Sequence, residues 1–310
     1  MGKDTYRVRN WKQYNEGLKR RGSLHIWIST DAFDPIPPGT ALRRGRPHRY
    51  SNTLLLTCLT VRQVYHLPLR ACQGFLQSLS HLLHLRTPIP DYTTLCRRAA
   101  TLQVDLAPLQ QKGICDVAID ATGLKVYGEG EWKVRRHGFS KRRTWRKLHV
   151  VVNPGSGQVE AMALTPNSTD DGQVAAPLAE AVLRQHPIDR LLGDGAYDKL
   201  KVRKPLHGRV GRLVFPPSVR AVKSKSKDEW QVARNEVLDQ LEAKGRKAWK
   251  EAVGYHRRSA AETCMFRYKT LIGEKLKARR ADNQGTEARI GCRLLNQLLQ
   301  VAKPQSLKVA

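Results

Sequence analysis

Residues Tyr255–Lys269 read YHRRSAAETCMFRYK, a basic stretch in which Glu262 is the single acid among Arg257, Arg258, Arg267 and Lys269. Wound as an α-helix, Tyr255, Arg258, Glu262 and Lys269 follow one another at steps of three, four and seven residues. At ~100° per residue they share one face within about 60°. Val253, Ala260, Cys264 and Leu271 fall on the other side, an apolar back of the kind that packs on a sheet. A carboxylate aligned with three groups able to hold phosphate oxygens suits an acid that works beside a nucleic-acid backbone. A solvated helix face carrying a few ion pairs is the alternative.

Working outward, the chain upstream of this stretch supplies the sheet. ICDVAID (114–120) reads as a strand, and KLHVVVN (147–153) and QVEAMALT (158–165) read as two more, joined by the turn Pro154-Gly155-Ser156-Gly157. DDGQVAAPLAEAVLRQH (170–186) follows as a helix capped by Asp170 or Asp171, then IDRLLGD (188–194) and GRLVF (211–215) as further strands. That order predicts an α/β fold, a mixed sheet with helices packed on it. Two acids close apolar strands: Asp120 before Ala121-Thr122-Gly123, and Asp194 before Gly195-Ala196-Tyr197. Carboxyl ends of strands are where sites assemble in open α/β sheets, although a strand-end Asp is also a common turn residue. Asp116 and Asp198 compete with them and rank behind, because Asp116 comes early in its strand and Asp198 leads into a basic run.

Composition points to the partner. The 310 residues hold 55 Lys and Arg against 27 Asp and Glu, a formal net charge of +28. Self-repulsion of that size is retained for a polyanion, and nucleic acid fits best. Lys133–Lys147 carries eight basic residues and no acid, with Trp132 and Trp145 placed to stack on a base, and Lys199–Lys227 carries ten and no acid. No apolar run approaches the ~20 residues of a membrane span, and MGKDTYRVRN has no apolar signal region, so no membrane association is expected. Six dispersed cysteines without a C-x-x-C pair read as small core residues in a reducing cytoplasm.

Three regions result. Residues 1–50 read as a basic N-terminal arm broken at Asp34-Pro35-Ile36-Pro37-Pro38-Gly39, with the run Arg43–Tyr50 exposed. Residues 51–111 read as short helices in a helix-turn-helix-like, all-helical DNA-binding region. Arg97 and Arg98 stand near the start of its third helix, capped by Asp91 or Thr93, where they face a groove. No acid occurs between Asp34 and Asp91, which favours DNA over a plain three-helix bundle. Residues 112–303 form the catalytic α/β domain, with a short helical insertion near 220–250. The helix at 285–302 carries Ile290, Leu294, Leu298 and Val301 on one side, and internal packing is the expected use of that side.

Three carboxylates in so basic a chain are what a magnesium site on phosphodiesters requires, since hard divalent cations take oxygen ligands. Two ions ~3.5–4 Å apart clamp the attacking and leaving oxygens of an in-line displacement. The order Asp120, Asp194, Glu262 resembles the DDE triad of bacterial insertion-sequence transposases. The stripe matches one branch signature, Tyr-x-x-Arg-x-x-x-Glu-x6-Lys, at Tyr255, Arg258, Glu262 and Lys269, and is most similar to the insertion-sequence family numbered five.

That resemblance implies a ribonuclease-H-like fold. It makes Asp120, Asp194 and Glu262 the catalytic residues and ligands of two Mg²⁺ ions, with Mn²⁺ as substitute. It implies no small-molecule cofactor, hydrolysis at the transposon end and attack of the freed 3′-hydroxyl on target DNA. Tyr255, Arg258 and Lys269 then hold phosphate or a flipped base. The implied partners are double-stranded DNA, as terminal inverted repeats and as target, and a second copy of the chain in a homodimer on DNA. A DNA-binding protein without cleavage activity and a ribonuclease-H-like junction nuclease are the rivals. His149, in the second strand, reads as a core or strand-surface histidine.

Overall fold

The computed structural model describes residues 5–28, 30–34, 50–85, 87–107, 113–126 and 145–309. The chain divides into two compact units, Met1–Ala107 with Arg280–Ala310, and Pro108–Arg279.

The first unit opens with β1 (Thr5–Val8), α1 (Trp11–Arg20) and α2 (Leu24–Trp27). The reading of residues 1–50 as a basic arm is corrected for this part. Trp27, Ile28, Ala32 and Phe33 are buried, and the Trp27 indole N–H donates to the Arg21 carbonyl at 2.8 Å. Apolar side chains of that size belong in a core whatever the charge around them. Residues 35–49, most of the expected exposed run, lie outside the described residues.

Three helices follow: α3 (Asn52–Val64), α4 (Leu69–Leu82) and α5 (Tyr92–Ala99). Ser51 caps α3 by accepting from the Leu54 N–H at 3.0 Å, and Asp91 caps α5 by accepting from the Thr93 and Thr94 N–H groups at 2.9 Å. Because α5 stops at Ala99, Arg97 and Arg98 occupy its last turn and not its start. The chain leaves the helix there because Leu102, Val104 and Leu106 alternate along an extended segment and all three are buried.

The second unit is built on a mixed sheet. Its strands are β2 (Cys115–Val126), β3 (Trp145–Val152), β4 (Val159–Pro166), β5 (Ile188–Leu192), β6 (Arg212–Val214) and β7 (Lys275–Leu276). They run in the order β4-β3-β2-β5-β6, with β7 pairing the far end of β2. The β4-β3-β2 portion is antiparallel and β2-β5-β6 is parallel. The β3–β4 turn is held by the Asn153 side chain, whose Oδ1 accepts from the Gly155 and Ser156 N–H groups.

Among the described residues, the helices of this unit are α6 (Asp171–Leu183), α7 (Leu200–Leu206), α8 (Glu229–Ala252) and α9 (Ser259–Leu271). One sheet face packs Val117, Ile119, Val151 and Leu191 against α6 and α7 through Ala175, Ala179, Val182 and Leu206. The other face meets α9, which buries Ala261, Cys264, Met265 and Tyr268. Burial on both faces explains why the central strands read as nearly continuous apolar runs.

Two expectations change here. Tyr255–Lys269 is not one α-helix: Tyr255–Arg258 form a 3-10 turn entered through left-handed Gly254 (φ 66°), and the α-helix starts at Ser259. The packed face of the helix is also offset from the expected apolar back: Ala261, Cys264, Met265 and Tyr268 are buried, whereas Leu271 is exposed. Asp120 does not close its strand either. It is the sixth of the twelve residues of β2, which β3 continues to pair as far as Lys125.

The chain returns to the first unit with α10 (Ala281–Val301) and β8 (Ser306–Val309), which pairs β1 antiparallel. The sequence places residues up to 303 with the catalytic domain, whereas 280–310 group with the N-terminal helices. Side chains of α10 serve as donors to that unit's backbone. Thr286 bonds the Ala99 carbonyl, Asn296 the Leu106 carbonyl and Gln300 the Ala107 carbonyl. Ile290, Leu294 and Leu298 are buried inside it. Among the described residues no helix is long and apolar enough to cross a membrane.

Candidate active site

Strand register brings the two aspartates together. In the parallel β2–β5 pair, Ala118 lies opposite Leu192, the last residue of β5. Two residues further on, Asp120 stands beside Asp194, at the point where β2 loses its neighbour on that side. Strands ~4.8 Å apart make such positions lateral neighbours. Asp194 caps the 3-10 turn Gly195–Tyr197, its Oδ1 accepting from the Ala196 N–H at 2.9 Å. Gly193 is obligatory next to it, because a Cβ there would meet Tyr197 Cδ2 at 2.8 Å and Phe215 Cε1 at 2.9 Å.

The first turn of α9 supplies the third acid, and the 3-10 turn before it supplies the cation. Arg258 Nη1 lies 3.3 Å from Asp120 Oδ2, and its Nη2 donates to Glu262 Oε1 one helical turn on. The guanidinium therefore ties strand to helix. It also lies 5.8 Å from the ring centroid of Tyr255, whose ring packs 6.5 Å from that of Trp249. Burial opposes the charge on Arg258, yet Tyr255, Glu262 and Asp120 outweigh it and raise its pKa above the ordinary value. Burial also raises the Asp120 carboxyl above its usual range. The Ala121 N–H and Arg258 work against that rise, and Asp194 and Glu262 add to it. Tyr255 is shifted upward by burial first, with the same three acids contributing.

Competing acids are accounted for by their partners. Asp116 shares the Asp120 face of β2 and is buried, bound at 2.8 and 2.7 Å by Arg190 and again by Arg257. Asp198 is held by Arg203 and by Arg234 at 3.1 Å. Each is neutralised by two arginines and has no capacity left for another cation. Asp120 and Glu262 share one arginine, and Asp194 makes no ion pair among the described residues.

The donor set is three hard carboxylate oxygens gathered in a strongly basic chain, and that chemistry fits a divalent cation. As the side chains stand, among the described residues no group of three or more His, Cys, Asp or Glu is drawn close enough to hold an ion. The Arg258 guanidinium lies between two of the three.

Other expected residues fall differently. Lys269 is exposed two turns along α9 from Glu262, and no ion pair joins it to the cluster. Trp145 begins β3 opposite Lys125, whose ammonium lies 5.8 Å from its ring centroid. By strand alternation Trp145 is on the sheet face away from Asp120. Trp132 lies outside the described residues, as does most of Lys133–Lys147. Arg97 and Arg98 are in the first unit, where Arg98 bonds Asn52 Oδ1 at 2.7 Å and Arg97 is exposed. His149 is fully buried, bonded to Thr165 Oγ1 at 2.8 Å, and burial lowers its pKa, as a core histidine requires.

Tyr197 was not singled out by sequence. Its phenol is buried with no hydrogen-bond partner among the described residues, and burial drives its pKa upward, with Asp120, Asp171 and Asp194 adding to the rise. Its place three residues after Asp194 was the only hint.

Comparison with known proteins identifies the family. A family model described as "Transposase DDE domain" matches residues 111–297, more than half of the chain, and a second model of the same description matches residues 19–129. Among solved structures, the chain is similar to the "Drosophila P element transposase strand transfer complex" at 11% identity, covering 93% of this chain and 86% of that one. The TM-score is 0.31, too low to speak for the fold. The family implies dependence on a divalent metal. On the family match, the chain belongs to the transposase DDE domain family and is a DDE-type transposase enzyme.

Proposed function

We propose that this transposase binds the terminal inverted repeats of a bacterial insertion sequence and uses Asp120, Asp194 and Glu262 to cut and rejoin DNA. The observation that carries this reading is the contrast among the acids. Arg258 links Asp120 to Glu262 beside Asp194, while Asp116 and Asp198 are each consumed by two arginines. The sheet order, with an antiparallel β4-β3-β2 half and a parallel β5-β6 half, supports a ribonuclease-H-like reading of the catalytic unit. The kinked α8, with Gly245 at φ 76°, stands where the short helical insertion is expected. The spacing of Tyr255, Arg258, Glu262 and Lys269 supports placement in insertion-sequence family five.

In this reading Asp120, Asp194 and Glu262 hold two Mg²⁺ ions, which Mn²⁺ can replace. A divalent ion there supplies positive charge to the scissile phosphodiester and lowers the pKa of the attacking water. The chain's own part is to place these oxygens. The β2–β5 register sets the two aspartates side by side, and the Ala121 and Ala196 N–H groups fix their Oδ1 atoms. Tyr255, Arg258 and Lys269 line the DNA backbone, and Arg97 and Arg98 contribute repeat recognition from the first unit. Joining two transposon ends calls for a homodimer on DNA, at work in the cytoplasm on the nucleoid.

The test incubates the protein with a terminal-repeat duplex, a target plasmid and Mg²⁺. Strand-transfer products that vanish in Glu262→Gln, while repeat binding persists, are the expected result. Cleavage without joined products would instead indicate a junction nuclease, and binding without any nick would indicate a protein that only binds DNA.

A further inference from the structure

Arg258 differs from the other site arginines in how its charge is spent. Around Asp116 and around Asp198, two guanidinium groups serve one buried acid. At Arg258 one guanidinium serves two acids, Asp120 on β2 and Glu262 on α9, and Asp194 adds its field to Asp120. Within a chain of +28, three acids gather here around one described cation. The bridge is also lopsided. Asp120 is reached at 3.3 Å, at the long end of a charge-assisted contact, and the Glu262 side chain is 54% exposed. Such a pair is held by charge more than by packing, and an incoming cation can replace it. Arg258 has an alternative resting place, because the Tyr255 ring is already within 5.8 Å of its guanidinium carbon.

We infer that Arg258 is the resident counter-ion of the carboxylate cluster and that a divalent cation enters by displacing it. The guanidinium holds Asp120 and Glu262 near each other until the ion takes those oxygens, and it then turns along the Tyr255 face toward DNA phosphate. This inference rests on Asp120, Asp194 and Glu262 being the ligands, as proposed above. It accounts for the carboxylates sharing a field without forming a closed ligand group.

The experiment is calorimetric titration of the full chain with Mg²⁺ alone, without DNA, alongside thermal melts. Arg258→Gln is expected to bind Mg²⁺ about tenfold more tightly than the parent, since one close competing charge is gone. Its metal-free melting temperature should fall and recover on adding Mg²⁺. Arg258→Lys keeps the charge but cannot bridge two acids, so its affinity should lie between the two, and it serves if the Gln variant folds poorly. Arg257→Gln, which touches Asp116 and not the cluster, is expected to leave Mg²⁺ affinity within about twofold. Equal or weaker binding by Arg258→Gln, or an equal gain in Arg257→Gln, overturns displacement. If no variant shows Mg²⁺ binding that Asp120→Asn abolishes, the ligand assignment itself fails, and the displacement fails with it.

Discussion

At the scale of single residues, position along a strand said less than the partners each acid acquires. Asp116 and Asp120 share parity on β2 and look equivalent in sequence. What separates them is that Arg190 and Arg257 converge on Asp116 from 74 and 141 residues away, a pairing no local pattern reveals. Asp116 is nearly inaccessible, so removing Arg190 strands a buried charge on its weaker partner. Arg190→Ala should cost about 2–3 kcal/mol of stability in urea unfolding, against the 3–5 kcal/mol of a fully broken buried pair. A loss below about 0.5 kcal/mol would mean that Arg257 alone suffices. Glu262, by contrast, stands out in sequence as the lone acid of a basic stretch, and the structure brings it to the guanidinium that also reaches Asp120.

At the scale of elements, β2 to β6 were readable as strands, whereas the short β1, β7 and β8, and the ends and phases of the rest, were not. ICDVAID is recognisably a strand because Val117 and Ile119 must be buried. The strand continues to Val126 because β3 and β7 pair its polar half, which is information held elsewhere in the chain. The 3-10 turn at Tyr255–Arg258 was likewise hidden, since its spacing of three is shared by both helix types. Glycines report where elements approach closely. Gly193→Ala forces a methyl against Tyr197 and Phe215, overpacking worth about 1–3 kcal/mol. Because Asp194 is the next residue, cleavage should fall further than DNA affinity in paired assays; equal losses would make Gly193 purely structural. Gly245 (φ 76°, ψ 160°) breaks α8 in a conformation open to glycine almost alone. Gly245→Ala should therefore lower the melting temperature through about 1–3 kcal/mol of backbone strain. An unchanged melt would show that α8 can straighten without cost.

At the scale of the whole molecule, charge dominates. A net +28 is excessive for a compact chain and sensible for one that neutralises phosphates. If it makes roughly 6–10 phosphate contacts, affinity for DNA should drop by about 10³–10⁵ between 50 and 200 mM salt, read by fluorescence anisotropy. A flat response would remove the electrostatic basis for DNA binding. The return of α10 and β8 to the N-terminal unit was not foreseen. An amphipathic helix reveals that one face is buried and not which unit buries it. The central claim is that Asp120, Asp194 and Glu262 form one metal-dependent cutting site. Its most direct test is nicking of an end-labelled terminal-repeat duplex in Mg²⁺, at matched DNA occupancy, by the parent and by Asp120→Asn, Asp194→Asn and Glu262→Gln. Nicking by the parent, its loss with EDTA, and a fall of at least about 10³-fold in all three variants are the expected results. Nicking that survives any one of these substitutions would contradict the claim.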